Sequence, residues 1–341
     1  MIIRSKAPLR LGLAGGGTDV SPFSDLYGGS ILNATINLYA HASISKRTDS
    51  KIRIVLHDQD VDLLFDVQPQ LPTNHKAALQ AAVYNRMVAE FGLQPQGFEL
   101  HTFIDAPQGS GLGTSSTLTV SVIGAFGQWL SLPLGEYDIA YLAYQIERED
   151  LQMAGGKQDQ YAATFGGINF MEFFEKNRVI INPLRVNNVT INELSHNIVL
   201  FYTQTSHNSS DIIKAQQANV TDKKAQSLEA MHKIKEQSVQ MKEALLKGKL
   251  DHIGAIFNEN WEYKKQMAEG ISTELFEQIY DKAIQAGSSG GKISGAGGGG
   301  FIFFYCPNYS RYAVINALQA FNCVAKPYEF SKNGLRTWTI Q

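Results

Sequence analysis

Cysteine is nearly absent: Cys306 and Cys323 are the two in 341 residues. Two thiols cannot build a disulfide framework or a cysteine metal cluster, and both sit in apolar, strand-like context, so they read as buried free thiols. An excess of positive charge is also missing. Lys and Arg total 30 against 32 Asp and Glu, a formal net charge of -2, which leaves no surplus of cations to neutralise a nucleic-acid backbone. No apolar stretch approaches the ~20 residues of a membrane span. The opening residues, MIIRSKAPLR, lack the apolar core of a secretory signal. These absences argue against nucleic acid and membrane as partners and make the cytoplasm the expected location. No internal repeat is evident.

What the chain does have is the make-up of an ordinary soluble globular protein, 44% apolar and 18% charged, with length enough for two domains with sizeable cores. It also has glycine in dense runs. The run that organises the rest is Pro107–Thr119, PQGSGLGTSSTLT. Glu99–Asp105 before it reads as a strand, and the apolar run Val120–Leu130 after it as a helix. A glycine-rich turn leaving a strand and opening a helix is a ready anion site, because backbone can approach closely and free N–H groups at the positive end of the helix dipole point at the anion. The hydroxyls of Thr114, Ser115, Ser116 and Thr117 then offer oxygen ligands to a hard cation. No Gly-Lys-Ser/Thr follows with the spacing of a Walker loop.

Near the start, Ile2–Ser5 reads as a strand, Ala7-Pro8 as a break and Arg10–Ala14 as a short extended piece. GGGTD (Gly15–Asp19) and GGSILNATI (Gly28–Ile36) follow. Asp19 comes after three glycines, where its carboxylate could accept hydrogen bonds from sugar hydroxyls or equally cap the next turn. Arg10 stands among apolar residues, and a buried Arg demands an anion partner. Lys51–Leu56 and Val61–Phe65 read as paired strands, and His75–Phe91 as a scaffold helix ended by Gly92. The order of strands, helix, strand, glycine loop and helix is an α+β arrangement, not a strict βαβ repeat.

Tyr137–Met153 reads as one helix with Glu147, Glu149 and Asp150 crowding its C-terminal half. Acidic groups there face the negative end of the dipole and call for a cation or another compensation. Ala154-Gly155-Gly156 breaks that helix and Lys157–Tyr161 starts the next, so Glu147 and Asp159 could converge on one pocket or form a solvated acidic face. Ile168–Phe174, Val179–Leu184 and Asn197–Thr203 read as strands. Ser209 to about Met267 is mostly helical, and nothing in it needs chemistry; His207 and His252 read as polar surface. Gly287–Gly300, GSSGGKISGAGGGG, runs straight into the strand Phe301–Tyr305. Such a loop must pass close to something, either a ligand or the first glycine loop.

These motifs, in this order, resemble those of the GHMP small-molecule kinases. APLRLGLAGGGTD is similar to the family's N-terminal motif, PQGSGLGTSS to its phosphate loop and KISGAGGGGF to its C-terminal glycine-rich motif. The resemblance covers essentially the whole chain. It implies an α+β two-domain fold: a ribosomal protein S5 domain 2-like N-terminal domain over residues 1–185, and a ferredoxin-like C-terminal domain over 186–341. The active site would lie between them, with ATP and Mg2+ as cofactors.

The resemblance also implies roles. Pro107, Gly109, Ser110, Gly111, Leu112, Gly113, Thr114, Ser115 and Ser116 would hold the nucleotide, with Gly295, Ala296 and Gly297 from the later loop. Ser115 and Glu147 would bind the metal. Asp159 would accept or orient the proton of the attacking hydroxyl, and Arg10 would hold that Asp ionised and stabilise the transferred phosphoryl charge. Asp19 would grip the sugar, with Gly17 and Thr18 beside it. Gly16 and Gly17 stand where galactokinases carry Glu and His, which counts against galactose. GGGTD, GGSILNATI and GGKQDQYAATFGG together resemble the D-glycero-D-manno-heptose 7-phosphate kinases, which phosphorylate an anomeric hydroxyl in nucleotide-activated heptose synthesis. L-fucokinase-like kinases, and a non-catalytic sugar and nucleotide sensor of the same fold, are the alternatives. A phosphorylated sugar needs a cation or N–H groups at its far end; Lys157 is the most suggestive candidate, although it could equally reach solvent or the ATP phosphates, and Arg185 and Lys292 are poorer ones. The expected partners are sugar or sugar phosphate and nucleotide, and a homodimer stays open.

Overall fold

The computed structural model describes residues 1–205 and 209–341, so His207 lies outside the described residues. The chain begins with β1 (Ile2–Ala14), one strand of 13 residues where the sequence pattern predicts a break at Ala7-Pro8. Its register against β2 shifts between Pro8 and Arg10. Proline, which has no N–H for a ladder, is accommodated at that irregularity and does not end the strand. After the short helix α1 (Phe23–Tyr27), β2 (Gly29–Lys46) runs for 18 residues. Its first half is buried on both faces and its second half alternates, which marks one end wrapped by helices and the other open to water on one side.

The strands β3 (Lys51–Leu56), β4 (Val61–Asp66) and β5 (Phe98–Ile104) complete the spine of this sheet, with α2 (Ala78–Phe91) crossing between β4 and β5. The helices α3 (Thr114–Leu130), α4 (Glu136–Gln145) and α5 (Gln158–Phe165) follow, then β6 (Ile168–Phe173) and β7 (Val179–Pro183). Next come α6 (Asn188–Asn197), which the sequence pattern does not predict, and β8 (Ile198–Tyr202). A helical stretch follows: α7 (Ser209–Thr221), α8 (Ala225–Leu246), α9 (Ile253–Lys265) and α10 (Glu274–Gln285). The chain closes with β9 (Gly290–Ile293), β10 (Phe301–Tyr305), α11 (Ser310–Leu318), β11 (Val324–Lys326) and β12 (Arg336–Ile340).

Two sheets result. The larger runs β12-β1-β2-β5-β3-β4, with β6 on β2 and β7 on β6; the smaller runs β11-β8-β10-β9. Every pairing is antiparallel except β3 with β5. The last strand, β12, pairs with β1, and Phe330 bridges to Ile36. A division at 185/186 therefore separates the two sheets but leaves the chain's final strand in the first. The main core lies between the large sheet and α2 and α3, around Ile44, Leu100, Val122 and Phe126; a second packs around Phe201, Met231, Trp261 and Ile302. Cys306 and Cys323 are buried free thiols pushed to about 12 and about 11 by that burial. Among the described residues no helix is long and apolar enough to cross a membrane.

Candidate active site

Residues from both halves line one cleft of about 430 Å³, ample for a bound metabolite. One end is the phosphate loop. Gly113, in the left-handed conformation, precedes α3, and no side chain caps that helix. The first N–H groups of a 17-residue helix therefore open on the cleft, where Thr114, Ser115 and Ser116 stand, a geometry suited to phosphate. The later glycine loop lies directly on this one. Ser294 Oγ donates to Gly111 O (2.8 Å) and Phe301 N to Ser110 O (2.9 Å). Gly111 has φ +83°, and a Cβ there would stand 2.3 Å from Ser294 O, so only glycine lets the two backbones approach this closely. Gly109, Gly295 and Ala296 also line the cleft. Pro107 is exposed outside it, Leu112 is in the core, Ser110 is buried with its carbonyl taken by Phe301, and Gly297 packs on Ile271.

The centre of the cleft is an ion pair. Along β1, Arg10 and Gly12 face it, as alternate residues of a strand do. Arg10 is buried, and its anion partner is Asp159 in the first turn of α5. Nε donates to Oδ1 (2.7 Å), Nη2 to Oδ2 (2.8 Å) and Nη1 to Gly111 O (2.5 Å). This fork fixes the plane of the carboxylate and ties it to the phosphate loop. The Asp159 side chain keeps 24% of its surface exposed, so it remains open to a ligand. The helix predicted over Tyr137–Met153 is α4 followed by a single π-turn, Ile146–Asp150. That turn resolves the acidic crowding in two ways. Asp150 turns onto Arg86 of α2 (2.6 and 2.8 Å). Glu147 turns inward, fully buried, and accepts from Ser116 Oγ (2.8 Å), Thr119 Oγ1 (3.2 Å) and Gln160 Nε2, with Arg148 Nη2 at 3.6 Å. The hydroxyls touching Glu147 are thus those of Ser116 and Thr119, while Ser115 lines the cleft.

The other end is built from buried side chains. Asp19 Oδ2 accepts the N–H groups of Lys157 (2.8 Å) and Gln158 (2.9 Å), where α5 starts. A Cβ on Gly156 would stand 1.9 Å from that same oxygen, so the glycine makes room for the carboxylate. Burial raises the Asp19 pKa, and the two N–H groups oppose the rise. Asp19 thus caps a helix and lines the cleft at once. Gly17 lines it too, but the Thr18 hydroxyl is engaged by Gly15 O (2.8 Å), Ser30 O (3.0 Å) and Ser30 N (3.1 Å) and serves the loop itself. Lys157 contributes its N–H, not its ammonium. Its Nζ is 3.7 Å from Asp25 Oδ1 and 5.6 Å from the Tyr144 ring centroid, and the side chain does not line the cleft.

Two other lysines do. Lys264 of α9 and Lys292 of β9 are 4% and 2% exposed and face the same space. The helical stretch 209–267, read from sequence as free of chemistry, therefore supplies a buried cation. The same stretch contributes Gln216, which holds Gly17 O through Nε2 (2.8 Å). Burial, aided by Arg10 and opposed by Asp19, pushes Lys264 down to about 8; burial, Lys264 and Arg10 push Lys292 well down. One local signal was available for Lys264: it falls on the helix face of Phe257, Asn260 and Trp261, all buried.

Residues 77–167 match the family described as GHMP kinases N terminal domain, and residues 241–322 match GHMP kinases C terminal. The chain is 46% identical over 338 residues to the D-glycero-alpha-D-manno-heptose 7-phosphate kinase of Campylobacter jejuni, with 99% of each covered. A solved structure described as a D-glycero-D-manno-heptose 1-phosphate kinase from Bacteroides thetaiotaomicron superposes with a TM-score of 0.85 at 44% identity, again over 99% of both chains. The L-fucokinase/L-fucose-1-P guanylyltransferase of Bacteroides fragilis is 26% identical over 89% of this chain and 34% of its own length.

Proposed function

This chain belongs to the GHMP kinase family, and from that premise we propose that it transfers the terminal phosphoryl group of ATP to the anomeric hydroxyl of D-glycero-D-manno-heptose 7-phosphate, giving the 1,7-bisphosphate. The observation that carries the reading is identity of 46% across the whole chain to a heptose 7-phosphate kinase, against 26% to a fucokinase. The product would feed nucleotide-activated heptose synthesis.

In this reading Asp159 takes or orients the proton of the anomeric hydroxyl. The hydroxyl oxygen bonds to the terminal phosphorus as the bond from that phosphorus to the ADP oxygen breaks, and the proton passes to Asp159 Oδ. Arg10 holds the carboxylate in one plane and places a guanidinium where charge spreads over the transferring group. The first N–H groups of α3 receive the phosphates. Asp19, with Oδ2 engaged by two N–H groups, would grip a sugar hydroxyl through Oδ1.

The donor set also fits Mg2+. Among the described residues no group of three or more His, Cys, Asp or Glu could cage a metal, but Glu147 and Ser115 both line the cleft. One carboxylate and a hydroxyl are the protein share expected when nucleotide phosphates and water complete the shell. Bound there, Mg2+ would neutralise charge on the phosphates; Ser115 and Glu147 would hold it, and Ser116, Thr119 and Gln160 orient Glu147.

The test is ADP release with ATP and a panel of sugars and sugar phosphates, with the product examined by phosphorus NMR. The expected result is turnover of heptose 7-phosphate with the new phosphate on the anomeric carbon. Turnover of L-fucose without heptose 7-phosphate would replace the substrate, and binding without ADP release would make the chain a sensor.

A further inference from the structure

We infer that Lys264 and Lys292 form a subsite for a phosphate that the acceptor already carries, beside the Gly15–Asp19 loop. This rests on the acceptor being a sugar phosphate, as proposed above. Every other charge in the cleft has a partner: Arg10 with Asp159, Arg148 against Glu147, Asp19 on two N–H groups. The two lysines have neutral ones. Lys264 Nζ donates to Gly295 O, and Lys292 Nζ to Asn260 Oδ1 at 3.0 Å. Neither forms an ion pair with a carboxylate among the described residues, whereas Lys157 does, with Asp25. Each ammonium has three donors, so two remain on each. Both are buried, which disfavours the charge of each, and Lys264 and Arg10 push the charge of Lys292 down further. A pair of unmatched buried cations costs stability unless an anion enters.

Their position favours the acceptor as the source of that anion. Lys292 Nζ lies 4.0 Å from where a Cβ on Gly16 would stand, and the charge of Lys264 is supported by Asp19. Lys292 therefore sits against the loop that carries the sugar-gripping carboxylate, and Lys264, held on Gly295 O, lines the same cleft as Asp19. The transferring phosphoryl group of ATP has the same chemistry, with its own donors in the α3 N-terminus and Arg10. A sugar without a second phosphate would leave the lysine pair unmatched.

The experiment compares Lys264→Met and Lys292→Met with the unaltered protein, at saturating ATP, on heptose 7-phosphate and on the same heptose without the phosphate. Removing a charge-assisted hydrogen bond to one substrate group should raise KM for the phosphorylated sugar at least ~10-fold. In Lys292→Met, KM for ATP and any turnover of the plain heptose should stay within about twofold; Lys264 also holds Gly295 O of the nucleotide loop, so a modest rise in KM for ATP accompanies the loss in Lys264→Met. Equal losses on both sugars, or a rise in KM for ATP alone, would overturn the assignment and give the lysines to ATP. Met replaces the buried charge with similar volume, and a melting curve of each variant confirms folding. If the unaltered protein fails on heptose 7-phosphate, the functional reading falls by itself. The pair is then judged by inorganic phosphate, whose protection against heat must be lost in Lys264→Met; retained protection rejects the subsite.

Discussion

The two ends of the cleft are made of different material. At the phosphate loop the working groups are backbone: uncapped N–H groups at α3, and glycines of two loops pressed together at Gly111 and Ser294. At the acceptor end they are buried side chains brought from far apart in the chain, Asp19 after β1, Lys264 on α9 and Lys292 on β9. Backbone recognition needs particular φ values and bare Cα atoms over a short run, so it shows in composition. Side-chain recognition needs one charged residue per element, which looks like any other charged residue until the elements are packed.

The sharpest way to probe that contrast is at the junction. Asp159→Asn preserves shape and the pairing with Arg10 in part but cannot take a proton. We expect kcat to fall at least ~100-fold with both KM values little changed. Turnover within tenfold of the unaltered protein would remove Asp159 from the proton transfer.

Next come paired glycine variants, one at each end. Gly111→Val places a branched side chain at φ +83°, with its Cβ 2.3 Å from Ser294 O. It should raise KM for ATP at least ~10-fold and lower the melting temperature, strain at such a position being worth roughly 1–3 kcal/mol. Gly156→Ala drives a Cβ to 1.9 Å from Asp19 Oδ2 and should raise KM for the sugar while sparing ATP. If both variants disturb both substrates alike, the two ends are not separate.

A milder change separates charge from shape at Glu147. Glu147→Gln retains an oxygen but not the carboxylate, so the Mg2+ concentration giving half-maximal rate should rise several-fold. An unmoved midpoint would take the cation away from this residue.

The smallest effect is on stability. Lys264 sits at about 8 when folded, against 10.5 as its ordinary value. Between those pH values the unfolded chain holds more of this proton, so stability from this group rises with pH across about 8 to 10.5 and is flat below. Urea midpoints measured from pH 7.5 to 10 should climb less in Lys264→Met than in the unaltered protein. Parallel lines would mean that the lysine is not strained by burial.

Much of the fold is legible in the sequence itself. The alternation in Lys51–Leu56 and Val61–Phe65 and the Gly92 stop after α2 are local signals, and the local backbone follows them. Other features were not readable. Pro8 implies a break only if a bulge against β2 cannot absorb it, and that depends on the partner strand. The π-turn at Ile146–Asp150 shifts Glu147 inward and Asp150 onto Arg86, a choice made by α2 and α3, which flank it. Lys157 looked like the phosphate ligand because it follows a Gly-Gly turn, yet the start of α5 turns its N–H to Asp19 and its ammonium to Asp25.

The sequence by itself therefore determined the phosphate loop, its partner loop and the family, because glycine spacing constrains backbone directly. It also required an anion for Arg10, because an apolar setting makes a lone guanidinium too costly. Only the tertiary structure decided that the anion is Asp159, and that Lys264 and Lys292 face the cleft while Lys157 does not. These are pairings between residues more than a hundred positions apart, or choices of direction for a flexible four-carbon stem. No local rule sets them; the packing of α5, α9 and β9 around β1 does.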